Sequence, residues 1–303
     1  MTSGPAFPNT PGEAGRWCFR HTAIMTDTAL VLGSGGLTGV GWETGILYGL
    51  AEAGVDLTDA GLVVGSSAGA VVGVNTSARR ISLTELYGRQ LAEPEGEIAG
   101  HLGAGKLFRY ARAVIGSRTP EDYGAKMGRL ALAADTPSEA DRRAVIAARL
   151  LTHEWPERAL KLTAVAADTG ELRVFDKDSG VPLIDAVAAS CAVPLVWPPV
   201  TIDGCKWIDG GLHSTANAHL AAGSRRIVII APSPAGGGPL DSPAAQAAKL
   251  TAAGAKVELI TPDAAAKKAF GRNSLDPARR APAARAGLAQ AAAHVDAVKA
   301  LWA

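Results

Sequence analysis

Residues 65–69 read Gly-Ser-Ser-Ala-Gly, a Gly-x-Ser-x-Gly pattern with Ser67 at its centre and Ser66 in the variable slot. A serine hydroxyl is a weak nucleophile until a neighbouring base takes its proton. Gly65 and Gly69 permit the tight strand-to-helix turn that lifts such a serine out of a sheet and onto a helix N-terminus. A second stretch, "GSGGLTG" at 33–39, also follows an apolar run and precedes a helical pattern. Its glycines let successive N–H groups point at one spot, a nest for a phosphate or for the oxyanion of an acyl-transfer intermediate. The dinucleotide fingerprint Gly-x-Gly-x-x-Gly requires glycine at position 38, where Thr38 stands, so a nucleotide-binding oxidoreductase is disfavoured.

A third piece, "WIDGG" at 207–211, sets Asp209 at a strand end before Gly210 and Gly211. Asp-Gly is a common turn pair, so the segment reads as a turn or as the site of a base. A carboxylate acts as that base only when it is desolvated and hydrogen-bonded to the serine. No histidine fits as cleanly. His213 and His219 follow Asp209 at helix- or loop-like positions, His294 lies on a terminal helix, and His21, His101 and His153 sit in polar or irregular stretches.

The elements that must position these residues follow from periodicity. "DTALVLG" (27–33) and "AGLVVG" (60–65) are short, apolar and closed by glycine, as buried strands are; "VGWETGILYGLAEAG" (40–54) and "SAGAVVGVNTSAR" are helical. Strand and helix in alternation with short joints imply a parallel sheet wrapped by helices. From 82 to 151 the pattern turns to Ala-, Arg- and Glu-rich helices, an expected insertion over one end of the sheet. There Leu107, Phe108 and Val114 either line an acyl channel or pack in the core. "LKLTAVAADT" and "ELRVFD" read as a strand pair, "PLIDAVAASCAV" as a helix stopped by Pro194, and "CKWIDGG", "RRIVIIAPS" and "KVELITPD" as further strands. The segment from Asp276 to Ala303 reads as one alanine-rich helix.

Composition narrows the class. The 303 residues are 48% hydrophobic and 19% charged, which suits a large folded core. Thirty Lys and Arg balance 29 Asp and Glu, a formal charge of +1, so nothing favours a nucleic-acid partner. Cys18, Cys191 and Cys205 are too scattered for a disulfide framework. Residues 1–24 carry Pro, Gly and polar residues where a signal peptide needs an apolar core; they read as a disordered extension or as an upstream start, ahead of one domain over 25–303. With no apolar run of about eighteen residues, a cytoplasmic protein without a membrane-spanning helix is expected.

The three motifs, in this order, resemble the patatin-like phospholipase family from about Thr28 to Ser233, and the tail "SLDPARRAPAARAGLAQA" resembles its bacterial branch. The resemblance implies a three-layer α/β/α fold with a central mostly parallel sheet. It also implies a serine acyl hydrolase of fatty-acyl esters that works through a Ser–Asp dyad without histidine, metal or cofactor. Carried over, Ser67 is the nucleophile and Asp209 its base; Gly35, Gly36 and Leu37 supply the oxyanion amides. "AASCAVPLVWPPV" (188–200) looks like the family's segment that precedes the aspartate and lines the site. Ser34 replaces the first glycine of the family's triplet, and Thr38 stands where many members carry Arg or Lys, which weakens a phospholipid reading. An acyl-lipid or ester is the expected partner, with transient contact at a membrane or lipid interface; head group and oligomeric state are left open. The alternatives are an α/β-hydrolase with a Ser-Asp-His triad and a non-catalytic member that binds lipid or protein.

Overall fold

The computed structural model describes residues 26–303 apart from 94–96, 98, 102 and 237. The expected extension over residues 1–24 lies outside the described residues, as do Cys18 and His21.

Thr28–Leu32 (β1) and Leu62–Gly65 (β2) pair in parallel, Ala29 opposite Leu62 and Leu32 opposite Gly65. Apart from Thr28 at the start, both runs carry no polar side chain because successive side chains face opposite sides of a sheet covered on both. Leu30, Leu32 and Val63 enter one core cluster with Trp42, Ile46 and Val72. Ala29, Val31, Leu62 and Val64 enter another with Ile227, Ile229 and Leu250. The sheet is therefore the middle of three layers.

Each early strand feeds a helix, Gly36–Glu52 (α1) after β1 and Ala68–Ala78 (α2) after β2. The helical insertion consists of Leu83–Leu91 (α3), Ala104–Ile115 (α4), Pro120–Leu132 (α5) and Glu139–Arg149 (α6). Ser82, Thr119 and Ser138 cap α3, α5 and α6, each side chain accepting a backbone N–H from the first turn. Ala159–Ala166 (β3) and Leu172–Phe175 (β4) form the expected hairpin, followed by Leu183–Ser190 (α7). Val200–Ile202 (β5), Cys205–Asp209 (β6), Arg226–Ile230 (β7), Pro243–Ala252 (α8), Lys256–Ile260 (β8), Ala264–Phe270 (α9), Arg280–Ala291 (α10) and Val295–Trp302 (α11) complete the chain. The sheet order is β5-β6-β3-β2-β1-β7-β8, with β4 also on β3. The run β3-β2-β1-β7-β8 is parallel, while β4 and β6 run antiparallel to β3.

Two local features differ from expectation. The strand β5 is only three residues long, too short to show a period; it turns into β6 through Asp203 and Gly204, both at positive φ. The terminal helix is interrupted, with a 3-10 turn at Ala292–His294 between α10 and α11, where His294 Nδ1 lies 3.0 Å from Glu258 Oε1.

α10 lies along α1, where Gly41, Gly45 and Gly49 recur on one face; a Cβ at Gly45 would stand 2.2 Å from the Ala284 carbonyl oxygen. The Trp42 indole donates to Gln290 Oε1 at 3.1 Å across the same seam. No helix among the described residues is long and apolar enough to cross a membrane.

Candidate active site

The turn after β2 closes tightly onto β1. Ser67 has φ 53° and ψ −110°, a strained conformation for a residue with a side chain, and it starts α2. A Cβ at Gly69 would stand 2.1 Å from the Leu32 carbonyl oxygen, so only glycine allows the turn to lie this close to the neighbouring strand. The Gly69 N–H donates to the Gly33 carbonyl at 3.0 Å, which ties the turn to the glycine loop. Below it, the Ser67 N–H donates to Ser190 Oγ at 2.9 Å. The Cys191 thiol, pushed up to about 12 by burial, donates to the Ser67 carbonyl.

Asp209 ends β6, which reaches the same end of the sheet by pairing with β3, Asp209 opposite Ala164. Its carboxylate is 6% exposed, accepts the Gly211 N–H at 2.8 Å and faces the Ser67 hydroxyl. Burial raises its pKa to about 6; the Gly211 amide, the Ser67 hydroxyl and the Arg142 charge pull the other way. A carboxylate held near 6 is ionised at neutral pH and basic enough to accept a hydroxyl proton.

The glycine loop lies alongside. The N–H groups of Gly33, Ser34 and Thr38 are committed to the carbonyls of Ile230, Thr215 and Ser274. Gly35, Gly36 and Leu37 fall between them, at the N-cap and first two positions of α1, where amides have no intrahelical acceptor. Gly36 and Leu37 line the same cleft as Ser67. Ser34 fits where the resemblance calls for glycine because Gly211 leaves it room; a Cβ at Gly211 would stand 2.4 Å from Ser34 Oγ. Thr38 is buried and its hydroxyl donates to the Gly35 carbonyl at 3.2 Å, inside the loop.

The structure thus brings Ser67, Asp209, Gly210 and Gly211 together with the loop of Gly35, Gly36 and Leu37. It does not bring a histidine to them among the described residues. His213 bonds Asn217 and, with His219, borders a separate cavity beside α8. His294 pairs with Glu258, and His101 and His153 are exposed. Nor do the described residues contain three or more His, Cys, Asp or Glu grouped to hold a metal.

Sequence reasoning missed the polar scaffold beneath the site. The Asn217 side chain donates to Ser66 Oγ at 2.9 Å and to the Gly210 carbonyl at 3.0 Å, and Ser66 Oγ lies 2.7 Å from Thr163 Oγ1. This buried network joins the turn of Ser67 to the loop of Asp209, and it contains only ordinary residue types from three distant segments. The free space beside Ser67 is about 20 Å³, room for a water molecule and far short of an acyl chain, so substrate entry requires the surrounding side chains to move. Leu107 and Phe108 of α4 do not line it. They are 52% and 63% exposed, whereas Val114 packs beside Tyr123 and Met127.

A family model described as patatin-like phospholipase matches residues 30–222. Proteins named "uncharacterized NTE family protein" from Mycobacterium bovis and from two strains of Mycobacterium tuberculosis are 29% identical over 194 residues, 61% of this chain and 42% of theirs. The chain therefore spans about two-fifths of the length of the curated relatives it matches. Among solved structures, VipD from Legionella pneumophila aligns with a TM-score of 0.45 at 13% identity, over 90% of this chain and 67% of VipD. The type III effector protein ExoU aligns with a TM-score of 0.38 at 14% identity, over 91% of this chain and 54% of ExoU.

Proposed function

The chain belongs to the patatin-like phospholipase family, and from that premise we propose that it is a serine acyl hydrolase of fatty-acyl esters working through a Ser67–Asp209 dyad. The observation that carries the proposal is the Ser67 hydroxyl beside the buried Asp209 carboxylate, whose pKa burial raises to about 6 while that hydroxyl pulls it down. Asp209 takes the Ser67 proton as the oxygen attacks the ester carbonyl. The Gly35, Gly36 and Leu37 amides receive the oxyanion. Asp209 returns the proton to the leaving alcohol, then deprotonates the water that releases the fatty acid and frees Ser67.

A fluorophosphonate probe tests this directly. It should label the wild-type protein once, at Ser67, alongside turnover of p-nitrophenyl esters of graded chain length. An unlabelled Ser67 would point to a member of the fold that binds lipid without cleaving it.

The proposed substrate is presented at a lipid surface, and α4 is suited to meet one. Leu107, Phe108 and Ile115, the last 85% exposed, share this helix with Lys106, Arg109 and Arg112. The helix stands beside the cleft, since the Tyr110 hydroxyl donates to the Pro194 carbonyl at 3.1 Å. Replacing Leu107, Phe108 and Ile115 together by serine should lower partition onto vesicles containing anionic lipid by about tenfold or more. Unchanged sedimentation with vesicles would remove α4 from the interface.

A further inference from the structure

The helical insertion brings a guanidinium into the cleft that the ester chemistry described above does not use. Arg142, on α6, is 3% exposed and stands over the Trp197 ring, 3.9 Å from its centroid. It lines the same cleft as Ser67, Gly36 and Leu37. Its Nε and Nη1 are buried without a hydrogen-bond partner among the described residues. Native proteins rarely leave buried donors unsatisfied, least of all on a charged group. Burial lowers the Arg142 pKa only to about 10, so the side chain is a cation at neutral pH.

The carboxylates nearby are already engaged. Glu97 is held by Arg149, with Nε at 3.0 Å from Oε1, and Arg280 Nη1 lies 3.9 Å from Oε1. Asp209 accepts the Gly211 amide and faces the Ser67 hydroxyl. Among the described residues, the carboxylates that act on Arg142 are Glu97 and Asp209, and neither bonds its Nε or Nη1. A ligand anion would meet these bare donors, since its oxygens would accept from Nε and Nη1 and its charge would face the guanidinium.

We propose that Arg142 reads the head group of the substrate: it receives the phosphate of an acyl ester whose leaving alcohol carries a phosphate monoester, and selects net-negative head groups over zwitterionic and neutral ones. This rests on the lipid acyl hydrolase reading above. A quaternary ammonium beside the phosphate meets Arg142 and Arg149 with like charge, and an uncharged glycerol leaves the buried donors bare; both are rejected by what they fail to satisfy. If Arg142 served only as a counter-charge for Asp209, or only packed against Trp197, it would treat all three head groups alike.

The test measures binding without turnover. Protein carrying Ser67→Ala is titrated calorimetrically with three ligands of one short acyl chain, an acyl glycerol phosphate, its phosphocholine analogue and the neutral acylglycerol, and with inorganic phosphate alone. The acyl glycerol phosphate should bind about ten- to a hundredfold more tightly than the other two acyl ligands, the range expected for charge-assisted hydrogen bonds. Adding Arg142→Gln should erase that margin, and Arg142→Lys should keep part of it. Equal affinities in the Ser67→Ala protein, or a margin that survives Arg142→Gln, overturn the proposal. Inorganic phosphate binding as tightly as the acyl glycerol phosphate also overturns it, because the site then takes a free anion. Should Arg142→Gln fail to fold by circular dichroism, the ranking in the Ser67→Ala protein and its partial loss in Arg142→Lys decide the matter. Because no hydrolysis is read, a failed dyad shows up separately as absent labelling.

Discussion

Ser67→Ala is expected to lower kcat/KM for an acyl ester by about 10⁴-fold or more, because the residual rate left by the loop amides and by substrate binding is small beside that of an activated nucleophile. The change removes one oxygen and little else. The Ser67 N–H keeps its bond to Ser190 Oγ, the backbone carbonyl keeps the Cys191 thiol, and the turn is held by Gly69 against Gly33. The melting temperature should therefore stay close to that of the wild type. Steady-state kinetics with a chromogenic ester, set beside a thermal melt, check both parts. Activity retained within about tenfold would mean that another group performs the attack.

Asp209→Asn should cost a comparable factor, for a different reason. Asparagine can still accept the Gly211 N–H at Oδ1, but it cannot take a proton from Ser67. Two pH dependences identify the carboxylate, and their signs are opposite. For activity, the base must be ionised, so wild-type kcat/KM should rise about tenfold per pH unit up to about 6 and level off above. For stability, the folded-state pKa of about 6 lies above the ordinary 3.8, because burial opposes the charge. The folded state thus holds its proton more tightly than the unfolded chain. The associated stability is complete below the unfolded pKa and is lost as pH rises through this window, on the order of 3 kcal/mol. Asp209→Asn abolishes that slope, so the inactive variant should equal or exceed the wild type in denaturant midpoint at pH 8. An active Asp209→Asn protein would end the dyad proposal. Replacing His213, His219 or His294 singly should leave most activity; a histidine change as damaging as Ser67→Ala would put a triad in its place.

Much of the frame was legible because it is local. The strand, glycine loop and helix from Thr28 to Glu52, and the strand, turn and helix from Leu62 to Ala78, announce themselves by apolar runs punctuated by glycine. The antiparallel pair of β3 and β4 was equally plain. What the sequence could not reveal depends on distant segments meeting. Asn217, Thr163 and Ser66 are unremarkable until the sheet stacks them between the turn and the Asp209 loop. Arg142 reads as one more charge in an Arg-rich helix; only the packing of α6 over the cleft buries it against Trp197. Leu107 and Phe108 occupy neither the channel nor the core expected of them, because an amphipathic period marks a face and does not say whether that face turns inward.

The seam between α1 and α10 separates two kinds of boundary. The region matched by the family model stops at residue 222, yet the helix that begins with the glycine loop is sheathed by residues 280–291, and the Ser274 carbonyl fastens the Thr38 amide at its mouth. Excising the matched region alone would leave Trp42 and the glycine face of α1 naked to water and unfasten the very turn that must stay rigid. The recognisable signature is therefore shorter than the machinery that keeps it in shape, and any expression boundary drawn from the signature would cut through the brace.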